Sequence, residues 1–146
     1  MAAQAVRHLE EEVSIAIIRK ADALMQVLTD LLKPHGLSST QYNVLRILRG
    51  AGREGASSKE ISSKLIARDP DVTRLMDRLE KRGLLTRDRA KEDRRVVTHQ
   101  LTPEGLAMLG ALDEPIQNIH RTAMDGVNAA NLETLLSILE EIRIES

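Results

Sequence analysis

The chain has 146 residues, enough for one domain with a buried core, and 42% are hydrophobic, yet no apolar run approaches the ~20 residues that span a bilayer. It contains no Cys, which excludes disulfides, thiolate metal sites and thiol redox switches, and its one aromatic, Tyr42, favours a core of packed helices over an all-β fold. The net charge of −1 is unevenly spread: residues 1–37 carry 4 basic and 5 acidic side chains, residues 38–103 carry 15 and 9, and residues 104–146 carry 2 and 8. A basic middle between neutral and acidic ends points to a polyanion on one surface and a different partner elsewhere.

The N-terminus, MAAQAVRHLEEE, lacks the basic-then-apolar layout of a secretory leader, so the cytoplasm is the expected compartment. Residues from about Ala5 to Lys33 have apolar side chains recurring at three and four (Leu9, Val13, Ile17, Ala21, Leu24, Leu28, Leu31). This predicts a helix about 42 Å long that stops before Pro34 and Gly36. Ile15, Ile18, Met25 and Leu32 widen the stripe to a second face, so the helix has partners on more than one side.

Ser38-Ser39-Thr40-Gln41 reads as a capping box that opens a second helix, with Tyr42, Val44, Leu45, Ile47 and Leu48 on its buried side. A Gly-containing loop follows, and Ser57-Ser58-Lys59-Glu60 repeats the capping logic before a short helix holding Ile61 and Leu65. Asp69 and Pro70 look like the cap and first residue of the next helix, from Pro70 to about Arg82. Val72, Leu75, Met76 and Leu79 face inward, and Asp71, Thr73, Arg74, Asp77, Arg78 and Lys81 face outward. A short helix, a tight turn and a second amphipathic helix form a helix-turn-helix.

Beyond Gly83, Leu84–Arg87 and Val96–Leu101 flank the wholly charged stretch Lys91-Glu92-Asp93-Arg94-Arg95, which reads as a β-hairpin with a charged tip. Thr102-Pro103-Glu104 starts a further helix, which Pro115 is expected to kink or divide, and a last helix after Asn128 carries Leu132, Leu135, Leu136, Leu139 and Ile142. The fold class is therefore mainly α with a small β-hairpin, a winged helix-turn-helix flanked by N- and C-terminal dimerisation helices. The expected divisions are 1–36, 37–103 and 104–146. The apolar faces of the first and last helices find partners most simply between two copies of the chain.

In a winged helix the second helix of the pair enters the major groove of double-stranded DNA and the hairpin reaches the flanking backbone or minor groove. Arg94 and Arg95 at the tip suit the narrow, electronegative minor groove, and Asp93 can hold Arg95 by an ion pair. Arg74 is the best placed for guanine, with a phosphate as the alternative. Thr73 and Arg78 suit phosphates, although Arg78 can instead pair with Asp77. Asp71 either accepts from cytosine or stabilises the helix N-terminus. Ser38, Ser57 and Ser58 lie at helix N-termini, where either phosphate binding or capping explains them. Arg87 can pair with Asp93 or contact the DNA backbone.

The strings LSSTQYNVLRIL, SSKEISSKL, DVTRLMDRLEKRGLLTR and DRRVVTHQLTPEG together resemble the MarR family of bacterial winged-helix transcription regulators, over about residues 37–106. The resemblance implies a homodimer with interlocked terminal helices and a wing arginine, Arg95 here, in the minor groove. It also implies a small effector, commonly an anionic aromatic compound, between the dimerisation helices and the DNA-binding lobe, where Tyr42 is the one aromatic wall on offer. Such a protein represses or activates transcription from a pseudopalindromic site.

His8, His35, His99 and His120 are scattered over separate elements and show no metal-ligand spacing. No nucleophile motif or phosphate loop is present, so neither catalysis nor a cofactor is expected. Two other readings stay open: a winged-helix module that binds protein, and a small-ligand carrier with no role in DNA regulation.

Overall fold

The computed structural model describes residues 8–89 and 97–145. Among the described residues there are six α-helices and a small sheet: α1 (Leu9–Leu32), α2 (Ser39–Ala51), α3 (Ser58–Lys64), α4 (Val72–Lys81), α5 (Pro103–Met124) and α6 (Ala129–Glu141). The strands are β1 (Ala56–Ser57), β2 (Leu85–Arg89) and β3 (Val97–Leu101), antiparallel in the order β1-β3-β2. The hairpin read from the sequence is therefore the larger part of a three-stranded sheet. Its register pairs Leu85 with Leu101 and Arg89 with Val97.

α1 begins at Leu9 after an extended His8 (φ −96°, ψ 90°), and the expected start at Ala5 lies outside the described residues. Glu10, Glu11 and Glu12 fill the first turn, where the helix dipole favours carboxylates. Gly36 ends the following 3-10 turn with φ +66°, a left-handed conformation that glycine adopts without strain. Both expected capping boxes form: Ser38 Oγ accepts from the Gln41 N–H at 3.1 Å, and Ser57 Oγ from the Glu60 N–H at 3.2 Å. Gln41 and Glu60 reach back to the cap N–H groups at 3.0 and 2.9 Å.

The core lies between α2, α4, the sheet and the first half of α5. Leu45, Leu48, Ile61, Met76, Leu79, Leu85, Leu109 and Leu112 are all fully buried in it. Only Leu32 of α1 is buried, and α6 buries nothing. Gly105 brings α5 against the strand: a Cβ there would stand 2.2 Å from the carbonyl oxygen of Leu84. Thr102 caps the helix at this junction, accepting from the Gly105 N–H at 3.0 Å and donating to the Gly83 carbonyl at 2.6 Å.

Of the two outcomes expected at Pro115, division does not occur: α5 runs on to Met124. Pro115 and Ala111 are both exposed. The Ala111 carbonyl, deprived of its N–H partner, can therefore be satisfied by solvent while the helix continues.

Candidate nucleic-acid interface

α3 and α4 are the helix-turn-helix, and two side chains shape its turn. Asn43 Oδ1, from α2, accepts the Ile66 N–H at 2.8 Å, and Asp69 Oδ1 accepts the Asp71 N–H at 2.8 Å. The second bond corrects the expected helix start. Asp69 closes an Asx turn around Pro70 instead of capping, so α4 begins at Val72 and Asp71 is its N-cap residue, with no side-chain cap bond. Asp71 stands exposed at the helix N-terminus.

Val72, Met76 and Leu79 bury one side of α4 and leave Thr73, Arg74, Arg78 and Lys81 exposed on the other. Arg74 and Arg78, four residues apart, share a face. Among the described residues neither makes an ion pair, so Arg78 is not paired with Asp77. Asp77 instead binds Arg87 on β2, whose Nε also lies 3.4 Å from Glu80 Oε2. Arg87 thus joins the base of the wing to α4. Asp93, Arg94 and Arg95, the expected wing tip, lie outside the described residues.

Other arginines of the lobe are also occupied. Arg82 donates to the carbonyls of Gly36 and His35 at 2.7 and 2.8 Å, tying the end of α4 to the α1–α2 connection. Arg49 donates both Nη groups to Asp113 on α5 at 2.9 and 3.0 Å. The hydrogen bond from Arg49 holds the Asp113 carboxyl below the usual carboxylate range. Sequence reasoning missed the roles of Asn43, Arg49 and Arg82. Their partners lie 23 to 64 residues away, beyond the reach of helical periodicity or local motifs.

The hydroxyls of Ser38 and Ser57 accept capping bonds, and each retains an O–H to donate. Ser58 is half-buried in the first turn of α3. Tyr42 is half-buried on α2, with the Arg46 guanidinium 5.9 Å from its ring centroid. Burial raises the Tyr42 hydroxyl above its ordinary pKa, against the pull of Arg46. His99 is buried at the centre of the sheet, with Nδ1 3.3 Å from the carbonyl oxygen of Ala56. Desolvation lowers its pKa and favours the neutral ring.

Among the described residues no group of His, Asp or Glu is arranged to hold a metal ion, and no helix is long and apolar enough to cross a membrane.

A family model described as the MarR family matches residues 37–97. The chain is 25% identical over 133 residues to the homoprotocatechuate degradative operon repressor of Escherichia coli, covering 91% of this chain and 88% of that protein. A MarR transcription factor from Planctomyces limnophilus is 35% identical, with a TM-score of 0.72 over 93% of this chain and 98% of that one. The fold also matches that of a point mutant of E. coli MarR complexed with operator DNA, at a TM-score of 0.79 and 24% identity over 92% and 98% of the two chains. These relatives are transcription regulators rather than enzymes. With a winged helix-turn-helix whose exposed arginines are sorted from its structural ones, the chain belongs to the MarR family of DNA-binding transcriptional regulators.

Proposed function

We propose that the protein acts as a homodimer on a pseudopalindromic site in double-stranded DNA and represses the transcription it controls. The observation that carries the dimer is where the apolar surface lies. Among the described residues, the large hydrophobic side chains left exposed all fall in residues 9–27 or 124–144, apart from Ile66 and Leu106. Leu9, Ile18 and Leu136 are 60%, 66% and 60% exposed. Leu9, Val13, Ile17, Ile18, Ile142 and Ile144 line one groove between the start of α1 and the C-terminal tail. Contiguous apolar surface of this kind marks an interface. A second copy supplies matching segments by two-fold symmetry.

In this reading residues 1–36 and 104–146 form the dimer, and residues 37–103 form each DNA-binding lobe. α4 enters the major groove with Arg74 on a base edge and Thr73 and Arg78 on phosphates. Asp71 serves the helix N-terminus, and Ser38, Ser57 and Ser58 face the backbone. Arg94 and Arg95 carry the wing into the minor groove, steadied by Asp93, while Arg87 stays with α4. The repressor role is supported by the E. coli relative, whose name is that of an operon repressor. A small aromatic or anionic effector is assigned to Tyr42, whose ring has the Arg46 guanidinium 5.9 Å from its centroid.

Sedimentation equilibrium tests the dimer: a dimer at micromolar concentration is expected, and a stable monomer contradicts it. Mobility shifts test the wing. Arg95→Ala is expected to bind more weakly and with a shallower salt dependence, because one charge near the phosphates is lost. Wild-type behaviour of that variant at every salt concentration would contradict the wing role.

A further inference from the structure

α5 belongs to two environments. Its first half is built into the lobe, with Gly105, Leu109, Leu112 and Ile116 buried. From Arg121 onward every residue of the helix is exposed. Pro115 lies six residues before that change, next to the buried Ile116, and offers no N–H to the Ala111 carbonyl, so the ladder lacks a rung where the helix still packs on the lobe. A helix missing a rung bends there more readily than elsewhere.

Asp113, two residues before Pro115, receives the fork of Arg49 from the last turn of α2, at 2.9 and 3.0 Å. α2 and α5 also share the apolar core, but apolar packing is non-directional and tolerates small rotations. A bidentate guanidinium–carboxylate pair fixes orientation as well as distance. It is placed where the lobe meets the weakened point of the helix that leaves it.

We infer that Arg49 and Asp113 are positioning residues: their fork-to-carboxylate pair, beside the missing rung at Pro115, sets the angle between the DNA-binding lobe and the dimerisation helices. That angle fixes the separation of the two recognition helices, and so the spacing of half-sites the dimer accepts. The inference rests on the homodimer proposed above.

The test measures binding of the full chain to DNA with two half-sites at the preferred spacing, to the same half-sites moved by one base pair, and to an isolated half-site. Wild type is expected to prefer one spacing. In Asp113→Asn that preference is expected to fall about fivefold or more, with binding to the isolated half-site unchanged. An unchanged preference in the folded variant overturns the inference. So does a parallel loss of isolated half-site binding and melting temperature, which indicates a merely structural role.

If Asp113→Asn does not fold, Arg49→Lys decides. It keeps the charge and loses the fork, so a smaller loss of preference is expected and an unchanged preference overturns the inference. A monomeric wild type, or one indifferent to spacing, contradicts the dimer itself and is recognised before any variant is tested.

Discussion

Arg87, at the base of the wing, is ion-paired with Asp77 on α4, and Glu80 of the same helix stands beside the guanidinium with Oε2 3.4 Å from Nε. The wing and α4 are thereby coupled, and a cation that would otherwise attract any phosphate is neutralised. Both side chains are partly solvated, at 34% and 47% exposure, so the pair contributes under about 1 kcal/mol to stability. Asp77→Asn is expected to leave the melting temperature nearly unchanged. It frees Arg87, raising affinity for random DNA while loosening the specific complex. The ratio of specific to non-specific Kd, measured by fluorescence anisotropy at one salt concentration, is expected to fall several-fold. An unchanged ratio would show that the pair plays no part in recognition.

Arg74 and Arg78 share the exposed face of α4 but are assigned different work. Arg74→Ala is expected to cost about 1–3 kcal/mol on the best site and to relax the preference at one base position. Arg78→Ala is expected to weaken all sequences alike and to lower the salt slope by about 1. Binding titrations over a set of single-base operator variants, repeated across salt concentrations, separate the two patterns. The same pattern for both variants would mean both arginines contact phosphate.

Gly105 and Gly110 both lie in α5 and are expected to respond in opposite directions to alanine. At Gly105 the added carbon would meet the Leu84 carbonyl oxygen at 2.2 Å and Leu101 Cδ1 at 2.7 Å, so backbone has to move. A loss of about 1–3 kcal/mol is expected, as for an overpacked core. At Gly110 nothing lies within 4 Å. Alanine there gains helix propensity, by up to about 1 kcal/mol. Denaturant unfolding of the two variants provides the comparison, and a stabilised Gly105→Ala would contradict the close approach of α5 to the strand.

His99 makes stability depend on pH in a definite direction. Its folded pKa is depressed by desolvation, so in acid the unfolded chain binds a proton that the folded chain refuses. From this residue stability is constant above the ordinary histidine value of about 6.5. Below that it falls, until the depressed folded value is passed. His99→Gln is expected to flatten that part of the profile, measured as melting temperature against pH. A wild-type slope in the variant would assign the effect to other groups.

Much of this architecture was legible along the chain because its signals are local. Ser38 with Gln41, and Ser57 with Glu60, are three residues apart and close the boxes their spacing implies. Val72, Met76 and Leu79 mark the inner face of α4 by period alone. Competition and long-range pairing hid the rest. Asp69 had two uses for one carboxylate, capping a helix or closing a turn, and the turn around Pro70 won. β1 is two residues long, too short for any periodicity, and exists because Ala56 and Ser57 meet His99 and Thr98. The partners of Arg49, Arg82 and Arg87 depend on how the helices come together. Sequence alone therefore located the cationic region without separating its structural arginines from those free to meet DNA.

Selection of bound duplexes from a random DNA pool by the full chain tests the central claim most directly. A dimer with two coupled lobes is expected to enrich a pseudopalindrome whose half-site centres lie about one helical turn, 34–36 Å, apart. Enrichment of a lone half-site, or of no sequence at all, would contradict it.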